Sequence, residues 1–152
     1  MPNLLLFTCG REAIIDSLTN RLSIINILET VFATQFPARL ADAVIVSLWR
    51  RLDNEVQASF QHRVVLVDPE ERTVAEMDAS FAFERTGARV LIRLIGIPLQ
   101  SAGVYEYRLF VAPEGSEFPA EPVGKFPMVV QQAPATQTEA VQAPAQIEPA
   151  QT

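Results

Sequence analysis

The stretch that decides the fold is residues 89–111, which contains two runs with a two-residue period. In the first run, Arg89-Val-Leu-Ile-Arg-Leu-Ile95, every even-numbered residue is apolar and two of the odd-numbered residues are arginine. In the second run, Val104-Tyr-Glu-Tyr-Arg-Leu-Phe-Val111, the odd-numbered residues are aromatic or aliphatic, with Glu106 and Arg108 between them. Because a strand points alternate side chains to opposite faces, both runs predict half-buried β-strands.

The residues between these two runs raise the question of how the strands are connected. Gly96 and Pro98 are expected to interrupt the first strand, since glycine packs poorly in a strand and proline cannot donate to the ladder. If the two strands pair antiparallel in one sheet, Arg93 is expected opposite Glu106, because Arg108 would place like charges together. If the connection instead crosses between two sheets, that pairing does not form.

Similar short runs recur along the rest of the chain. They predict strands at 4–9, 22–28, 43–49, 59–67, 73–83 and 126–130, with residues 10–12 breaking the first and 13–16 resuming its pattern. The 22–28 run also fits a helical period, but its isoleucines and the preceding turn favour a strand. Residues 29–39 and 112–123 are predicted connections, and Pro127 places the last strand at an edge or a bulge. About seven to nine short strands predict an all-β chain, an antiparallel β-sandwich of immunoglobulin-like or C2-like type.

The composition of the chain changes after residue 130. Residues 1–130 form the predicted β-sandwich domain, whereas residues 131–152 are rich in Ala, Pro, Gln and Thr and contain no aromatic residue, Lys or Arg. Such a segment cannot bury enough apolar surface to offset the entropy lost on ordering. It therefore predicts a disordered C-terminal tail, with a linear binding motif as the alternative.

Composition and charge restrict the possible functions. The chain is 49% hydrophobic and 20% charged, which is typical of a protein with a packed core. Its net charge of −6 disfavours nucleic acid as a partner, since phosphate binding needs a basic surface. With neither a signal-peptide pattern nor an apolar run of transmembrane length, the expected location is cytoplasmic.

Two residues that occur once each were considered for catalysis. A single cysteine, Cys9, excludes an intrachain disulfide and Cys-based metal sites. The pair Cys9 and His62 could in principle serve a hydrolase or thiol enzyme, but no sequence signature accompanies either residue. We therefore expect Cys9 to be a buried strand-end thiol and His62 an ordinary hydrogen-bonded or strand-surface histidine.

The other motifs that carry chemistry are missing or weak. Ser17, Ser47, Ser59 and Ser101 lie in no nucleophile elbow, and the sequence contains no phosphate-binding loop, dinucleotide fingerprint or EF-hand loop. No catalytic, cofactor-binding or metal-binding residue is assigned, no cofactor is predicted, and the protein is expected not to be an enzyme.

The acidic turns and three aromatic residues raise two further possibilities, a calcium site and a binding surface. Carboxylates cluster at Asp53 with Glu55, at Asp68 with Glu70 and Glu71, and at Glu114 with Glu117. Converging acidic loops can bind calcium, but none of these clusters has a specific ligand spacing, so solvated turns are favoured. Trp49, Tyr105 and Tyr107 could line a binding surface, although their alternating strand positions favour the core.

Four segments resemble a known family: residues 14–29, Phe36-Pro37, residues 46–50 and residues 103–107. They resemble an uncharacterised bacterial family that is catalogued only as a domain of unknown function. The resemblance covers about residues 3 to 130, implies a β-sandwich, and carries no functional residues.

These observations favour a non-enzymatic interaction or assembly module, whose partner is an unidentified protein or a second copy of itself. The first alternative is a calcium- or phospholipid-responsive domain resembling C2 domains. The second is the hydrolase or thiol enzyme using Cys9 and His62.

Overall fold

The computed structural model describes residues 1–52 and 58–134, and in these ranges the chain forms nine β-strands and no helix. The predicted tail lies outside the described residues from position 135 onward, and so do residues 53–57. The strands are β1 (Asn3–Ile15), β2 (Leu22–Ile27), β3 (Thr30–Ala33), β4 (Ala38–Arg50), β5 (Ser59–Val67), β6 (Thr73–Ala82), β7 (Gly87–Leu99), β8 (Gly103–Pro113) and β9 (Gly124–Gln132).

The strands form two sheets around one core, as the sequence predicted. One sheet has the order β2-β1-β4-β7 and the other the order β3-β9-β8-β5-β6. Neighbouring strands are antiparallel except β3 and β9, which are parallel. The core contains inward residues of both sheets, and the ring of Trp49 on β4 stacks on Phe81 of β6 with centroids 5.4 Å apart.

Strands β7 and β8 confirm the two periodic runs but lie in different sheets. The connection therefore follows the second alternative, a crossing between two sheets, and the conditional pairing of Arg93 with Glu106 does not form. Arg93 lies opposite Val44 and donates to Asp42, whereas Glu106 lies opposite Val67 and Pro127. The chain crosses from one sheet to the other between Leu99 and Gly103.

Gly96 does not end β7, contrary to the sequence prediction. The strand continues to Leu99, and Gly96 adopts a left-handed backbone conformation with φ of 68°. Before Gly96 the buried positions are even-numbered, as at Leu94, and after it they are odd-numbered, as at Ile97. The glycine thus exchanges the two faces of the strand without breaking it, which glycine permits because it has no Cβ.

The predicted break at residues 10–12 is also wrong, because β1 is continuous from Asn3 to Ile15. A Cβ atom on Gly10 would lie 2.7 Å from Cγ2 of Ile24 and 3.2 Å from the carbonyl oxygen of Ile25. Gly10 therefore allows β2 to approach β1 closely, a requirement that the sequence of β1 alone does not reveal.

Two features near β9 differ from the sequence prediction. Residues 29–39 were predicted as a connection, but they contain β3, which pairs with Val129–Gln132. This places β9 inside the sheet rather than at its edge. Because β3 is short, Pro127 has a partner strand only on the β8 side, so its missing N–H is tolerated. The last strand also reaches Gln132, beyond the predicted domain end at residue 130.

The start of β8 is fixed by Gly103 and Tyr105. Gly103 has φ of 140°, and a Cβ atom there would lie 2.5 Å from Cγ of Pro69 in the β5–β6 turn. Tyr105 is fully buried, and its hydroxyl donates to the carbonyl oxygen of Ser101 at 3.0 Å. These contacts hold the crossing between the two sheets in one conformation.

We expect Gly103→Ala to destabilise the protein by about 1–3 kcal/mol, because the added methyl group meets a rigid proline ring in an unfavourable backbone conformation. The matched control is Gly115→Ala, where φ is 80° but no atom lies within 4 Å of the new Cβ. Urea unfolding of both variants measures the difference. If both variants lose the same free energy of unfolding, the close approach of Gly103 to Pro69 contributes nothing to stability.

Candidate functional site

A buried polar cluster joins the two sheets. Ser47 on β4 and His62 on β5 are both fully buried, and Oγ of Ser47 lies 3.0 Å from Nε2 of His62. Nε1 of Trp49 donates to the same oxygen at 2.8 Å. Oγ of Ser47 thus accepts from Trp49 and shares a second hydrogen bond with Nε2 of His62, in which the histidine tautomer decides which atom is the donor.

The surroundings of His62 keep the ring neutral. Burial lowers the pKa of His62 from 6.5 to about 4, and its own backbone and Asp78 offset only part of this effect. Ser47 and His62 have the separation of a nucleophile and its base, but a nucleophile must also reach a substrate atom. Because both side chains have no exposed surface, this cluster is built for packing and hydrogen bonding.

Cys9 and His62 have different partners and do not form the pair considered from the sequence. Cys9 is buried in β1, and burial raises the pKa of its thiol to about 11, with a hydrogen bond to Tyr107 opposing the shift. The thiol therefore stays protonated at neutral pH, and the thiolate needed for nucleophilic attack is scarce. The predicted burial of the thiol is confirmed, but Cys9 lies in the middle of β1 and not at a strand end, because the strand continues to Ile15.

The Asp68 turn is neutralised by arginine. Oδ1 of Asp68 accepts from the backbone N–H groups of Glu70 and Arg72, and Oδ2 accepts from Nε of Arg72 at 2.8 Å. Arg72 also binds Glu70, and Arg108 binds Glu71, each at 2.7 Å. The carboxylates that calcium would need are thus already engaged.

The remaining acidic residues within the described ranges add no cation site to this picture. Glu114 and Glu117 are exposed in the loop after β8, and Asp53 and Glu55 lie outside the described residues. Over residues 1–52 and 58–134, no group of three or more His, Cys, Asp or Glu side chains could hold a metal ion. Trp49, Tyr105 and Tyr107 are all buried in the core, so they line no surface.

The two outward faces of the sandwich differ in chemistry. On the five-stranded sheet, ion pairs form across and along the strands: Arg63 binds Asp78 at 2.8 Å and Glu76 at 3.1 Å across β5 and β6, and Glu106 binds Arg108 on its own strand at 2.7 Å and Lys125 on β9 at 3.7 Å. A charged face of this kind is the usual outward side of an antiparallel sheet.

The outward face of the four-stranded sheet is apolar across β1, β4 and β7. Since opposite residues of paired strands share a face, the registers place Leu6 with Leu48, Val46 with Leu91, and Val44 with Arg93. We define the apolar outer face as Leu6, Val44, Val46, Leu48, Leu91 and Ile95. Ile95 is 76% exposed and Leu6 38%, whereas the central residues Val44 and Val46 are buried although they lie outside the core cluster.

Charged residues gather at one end of this face. Arg93 donates to both carboxylate oxygens of Asp42 at 3.2 Å, and Arg11 and Glu12 share with Arg93 a shallow depression of about 260 Å³. The side chains of Arg93 and Asp42 remain 73% and 43% exposed. This end of the apolar outer face therefore carries two positive and two negative side chains, and Arg89, opposite Leu48, adds a third arginine towards the other end.

Sequence reasoning missed this face, although β4 contains the signal. Ala43-Val-Ile-Val-Ser-Leu-Trp49 is almost continuously apolar, which is typical of a strand covered on both sides. By itself this run predicts a strand inside a sheet, but it does not reveal what covers its second side.

The fold and these sites define an all-β, two-sheet domain, and a family model matches a large part of the chain. The model, described as "Family of unknown function (DUF6941)", matches residues 5–116. The chain belongs to this family. No curated protein matches the sequence. In the part of the chain that the structure describes, no helix has the length and apolar character needed to cross a bilayer.

The buried histidine predicts a pH dependence of stability. Between pH about 6.5 and about 4 the unfolded chain binds a proton at His62 that the native state excludes, so unfolding becomes easier as the pH falls. The stability lost through His62 approaches about 3 kcal/mol. A further loss comes from protonation of the arginine-bound carboxylates of Asp42 and Asp78. It sets in only below pH about 4, because the pKa values of both carboxylates are lowered in the folded protein.

Urea unfolding across this pH range tests the assignment, with His62→Gln as the comparison variant. The variant is expected to lack the slope between pH about 6.5 and about 4 but to keep the decline at lower pH. Identical profiles would contradict the burial of a neutral His62.

The arginine-bound Asp68 turn predicts that calcium leaves the native state unchanged. A cation that binds only the folded protein must raise the midpoint of thermal unfolding. We expect no rise in millimolar calcium, with magnesium as the ionic-strength control. A rise that Asp68→Asn abolishes would contradict our description of this turn.

Proposed function

We propose that this protein is a non-enzymatic interaction or assembly module that docks through its apolar outer face. The observation that carries the proposal is the contrast between the two outward faces of the sandwich. One is covered by ion pairs, and the other exposes Ile95 and Leu6 around a centre of valines. Contiguous apolar patches on a protein surface commonly mark sites where another molecule binds.

Exposed apolar side chains on this face have a measurable free-energy cost. Removing apolar surface from water contributes roughly 25 cal/mol per Å², so covering the exposed side chains of Ile95 and Leu6 favours association. The side chains project from three paired strands and not from loops, so little conformational entropy is lost when a partner covers them. A preorganised apolar surface of this kind supports binding better than catalysis.

The buried polar groups give the enzyme alternative no comparable support. Ser47, His62 and Cys9 have no exposed surface, and the Cys9 thiol is held in its protonated form. The calcium alternative likewise lacks free carboxylates at the Asp68 turn. In the part of the chain that the structure describes, no observation favours either alternative.

We also propose that the sandwich is of the immunoglobulin-like type. The strand orders β1-β4-β7 and β9-β8-β5-β6 correspond to strands A-B-E and G-F-C-C′ of that fold. Tyr105 stands near the start of the strand equivalent to F, and its hydroxyl binds the backbone of Ser101 four residues upstream, as in a tyrosine corner. The fold type gives no function by itself, and the proposal depends on the apolar face.

A substitution on the apolar outer face tests the proposal. Ile95→Arg places a charge on that face, and the matched control Val104→Arg places the same charge on the charged face, where Val104 is 54% exposed. Using the full chain, we expect Ile95→Arg to abolish both retention of partner proteins on a column and self-association by light scattering. Val104→Arg should keep whichever of these two properties, partner retention or self-association, the unmodified protein has.

Both variants should unfold at the same temperature as the unmodified protein, because each side chain projects into solvent. If Ile95→Arg associates like the unmodified protein, the apolar outer face is not a docking surface.

A further inference from the structure

The centre of the apolar outer face is already covered within a single chain. Val46 of β4 lies opposite Thr8 of β1, and both side chains point to the outer side of the four-stranded sheet, away from the core. Both are nevertheless buried, with 0% of Val46 and 4% of Thr8 exposed. An outward residue of a sheet is buried only where another part of the chain lies over it. A second layer therefore covers the middle of this face.

The covering layer is the hairpin formed by the second half of β1 and by β2. Strand β1 pairs with β4 as far as Gly10, and beyond this residue it pairs with β2 alone. Residues 11–27, which we call the covering hairpin, thus separate from β4 at Gly10. A Cβ atom on Gly10 would lie 2.7 Å from Cγ2 of Ile24, so glycine allows the hairpin to fold back closely.

Two contacts show the path of the covering hairpin over the sheet. Ala13 lines one depression together with Val44 and Leu91. At the tip of the hairpin, Asn20 accepts two hydrogen bonds from Arg89, at 2.7 Å on its carbonyl oxygen and at 3.1 Å on Oδ1. Since Val44, Leu91 and Arg89 all belong to the outer side of the sheet, the hairpin crosses that side from β4 to β7.

The covering hairpin is held together by its own backbone and turn. Asp16 organises the tip, because its Oδ1 accepts from the N–H groups of Leu18 and Thr19 and its carbonyl oxygen accepts from the N–H of Asn20. Asn20 has φ of 56°, a conformation that asparagine tolerates in turns. The hairpin can therefore keep its shape when it moves away from the sheet.

The attachment of the covering hairpin to the sheet is limited by comparison. By register its inward side consists of Ala13, Ile15, Leu22 and Ile24, yet Ile15 remains 46% exposed. A depression of about 260 Å³ lies between the hairpin and the sheet. At the tip, the bonds of Arg89 to Asn20 join two exposed side chains. Few buried apolar contacts and exposed hydrogen bonds are the features of a segment that opens locally.

We infer that the covering hairpin is a lid over the apolar outer face, which opens about Gly10 and which Arg89 latches through Asn20. When the lid is closed, it covers Thr8 and Val46. When it is open, these side chains join the exposed residues of the apolar outer face in one larger surface. The inference rests on the proposed docking function, because the lid controls access to that site.

The open state is the minor one in the free protein. Opening exposes apolar side chains to water, which costs roughly 25 cal/mol per Å². A partner that covers the opened face recovers this cost and shifts the population towards the open state. The lid therefore keeps the larger apolar surface covered until a partner is bound.

Two neighbouring positions on opposite sides of β1 test whether the lid opens. Thr8→Cys places a thiol beneath the covering hairpin, whereas the native Cys9 faces the core. Opening of the lid exposes only the first thiol, and global unfolding exposes both. The full chain is treated with an alkylating reagent in native buffer, and intact mass spectrometry counts the labels over time. We expect the first label at least about tenfold faster than the second, and in the unmodified protein only the slow reaction of Cys9.

The latch is tested in the same variant by adding Arg89→Ala, which removes both donors to Asn20. We expect the first label to be added about three- to tenfold faster, because losing exposed hydrogen bonds of a charged donor changes an equilibrium by roughly that factor. The rate of the second label should not change. The matched control is Arg85→Ala, since Arg85 lines the same depression as Asn20 but does not donate to it. This control should leave both rates unchanged.

Equal rates for the two thiols, or a first rate that Arg89→Ala leaves unchanged, would overturn the inference. An equal rise of both rates in Arg89→Ala would also overturn it, because the arginine would then stabilise the whole fold. Val44→Cys, at a second covered position, replaces Thr8→Cys if circular dichroism shows that the latter is not folded.

The labelling needs no partner, so its failure and the failure of the docking function are distinguishable. Ile95→Arg decides the docking function by itself, whatever the labelling rates are. If docking holds, Arg89→Ala should associate more strongly than Arg85→Ala in the same assay. Equal association of these two variants would show that the hairpin does not control the site, which also overturns the inference.

Discussion

Strand β4 is apolar on both sides, and the rest of the structure depends on this constraint. Its inward residues Ala43, Ile45 and Trp49 build the core together with the opposite sheet, and its outward residues Val44 and Val46 form the centre of a second apolar layer. A strand of this kind is stable only between two neighbours, which β1 and β7 supply. The core and the proposed docking surface are thus two sides of one segment.

The buried hydroxyl of Ser47 is the polar exception on the inward side of β4, and it helps to fix the alignment of the two sheets. It accepts from Trp49 and binds His62 on the opposite sheet, so it satisfies polar groups that would otherwise be buried without partners. A one-residue slip of β4 would move Ser47 outward and bring Val46 into its place. Both Trp49 and His62 would then lose their partner, so a slipped register is disfavoured by polar groups as well as by packing.

Sequence patterns predicted the strands that can be recognised from a short run of consecutive residues. Ser59–Val67 and the run around Tyr105 and Tyr107 show a clear two-residue period, and the structure confirms both as strands. Strand β3 was missed because it has four residues and is held by a parallel partner distant in the sequence. Gly10 and Gly96 were interpreted as breaks, but the structure uses one for close strand approach and the other to exchange faces.

The candidate sites required knowledge that no single segment contains. The contact of Ser47 with His62 depends on which strands face each other across the core, and that order follows from the whole topology. The apolar outer face depends on three strands that are adjacent in space but widely separated in the sequence. In contrast, alternation alone predicted the burial of Tyr105 and Tyr107, and the lack of a catalytic signature favoured a buried Cys9.

Strand β7 is long, and β4 is its one hydrogen-bonded neighbour among the described strands. An unpaired strand edge of this length can form backbone hydrogen bonds with further chains, which leads to fibres. Near its end, the left-handed turn at Gly96 bends the row of backbone groups, and Pro98 removes a donor from the strand. The two residues that look like defects in a strand pattern thus act against runaway polymerisation of the folded protein.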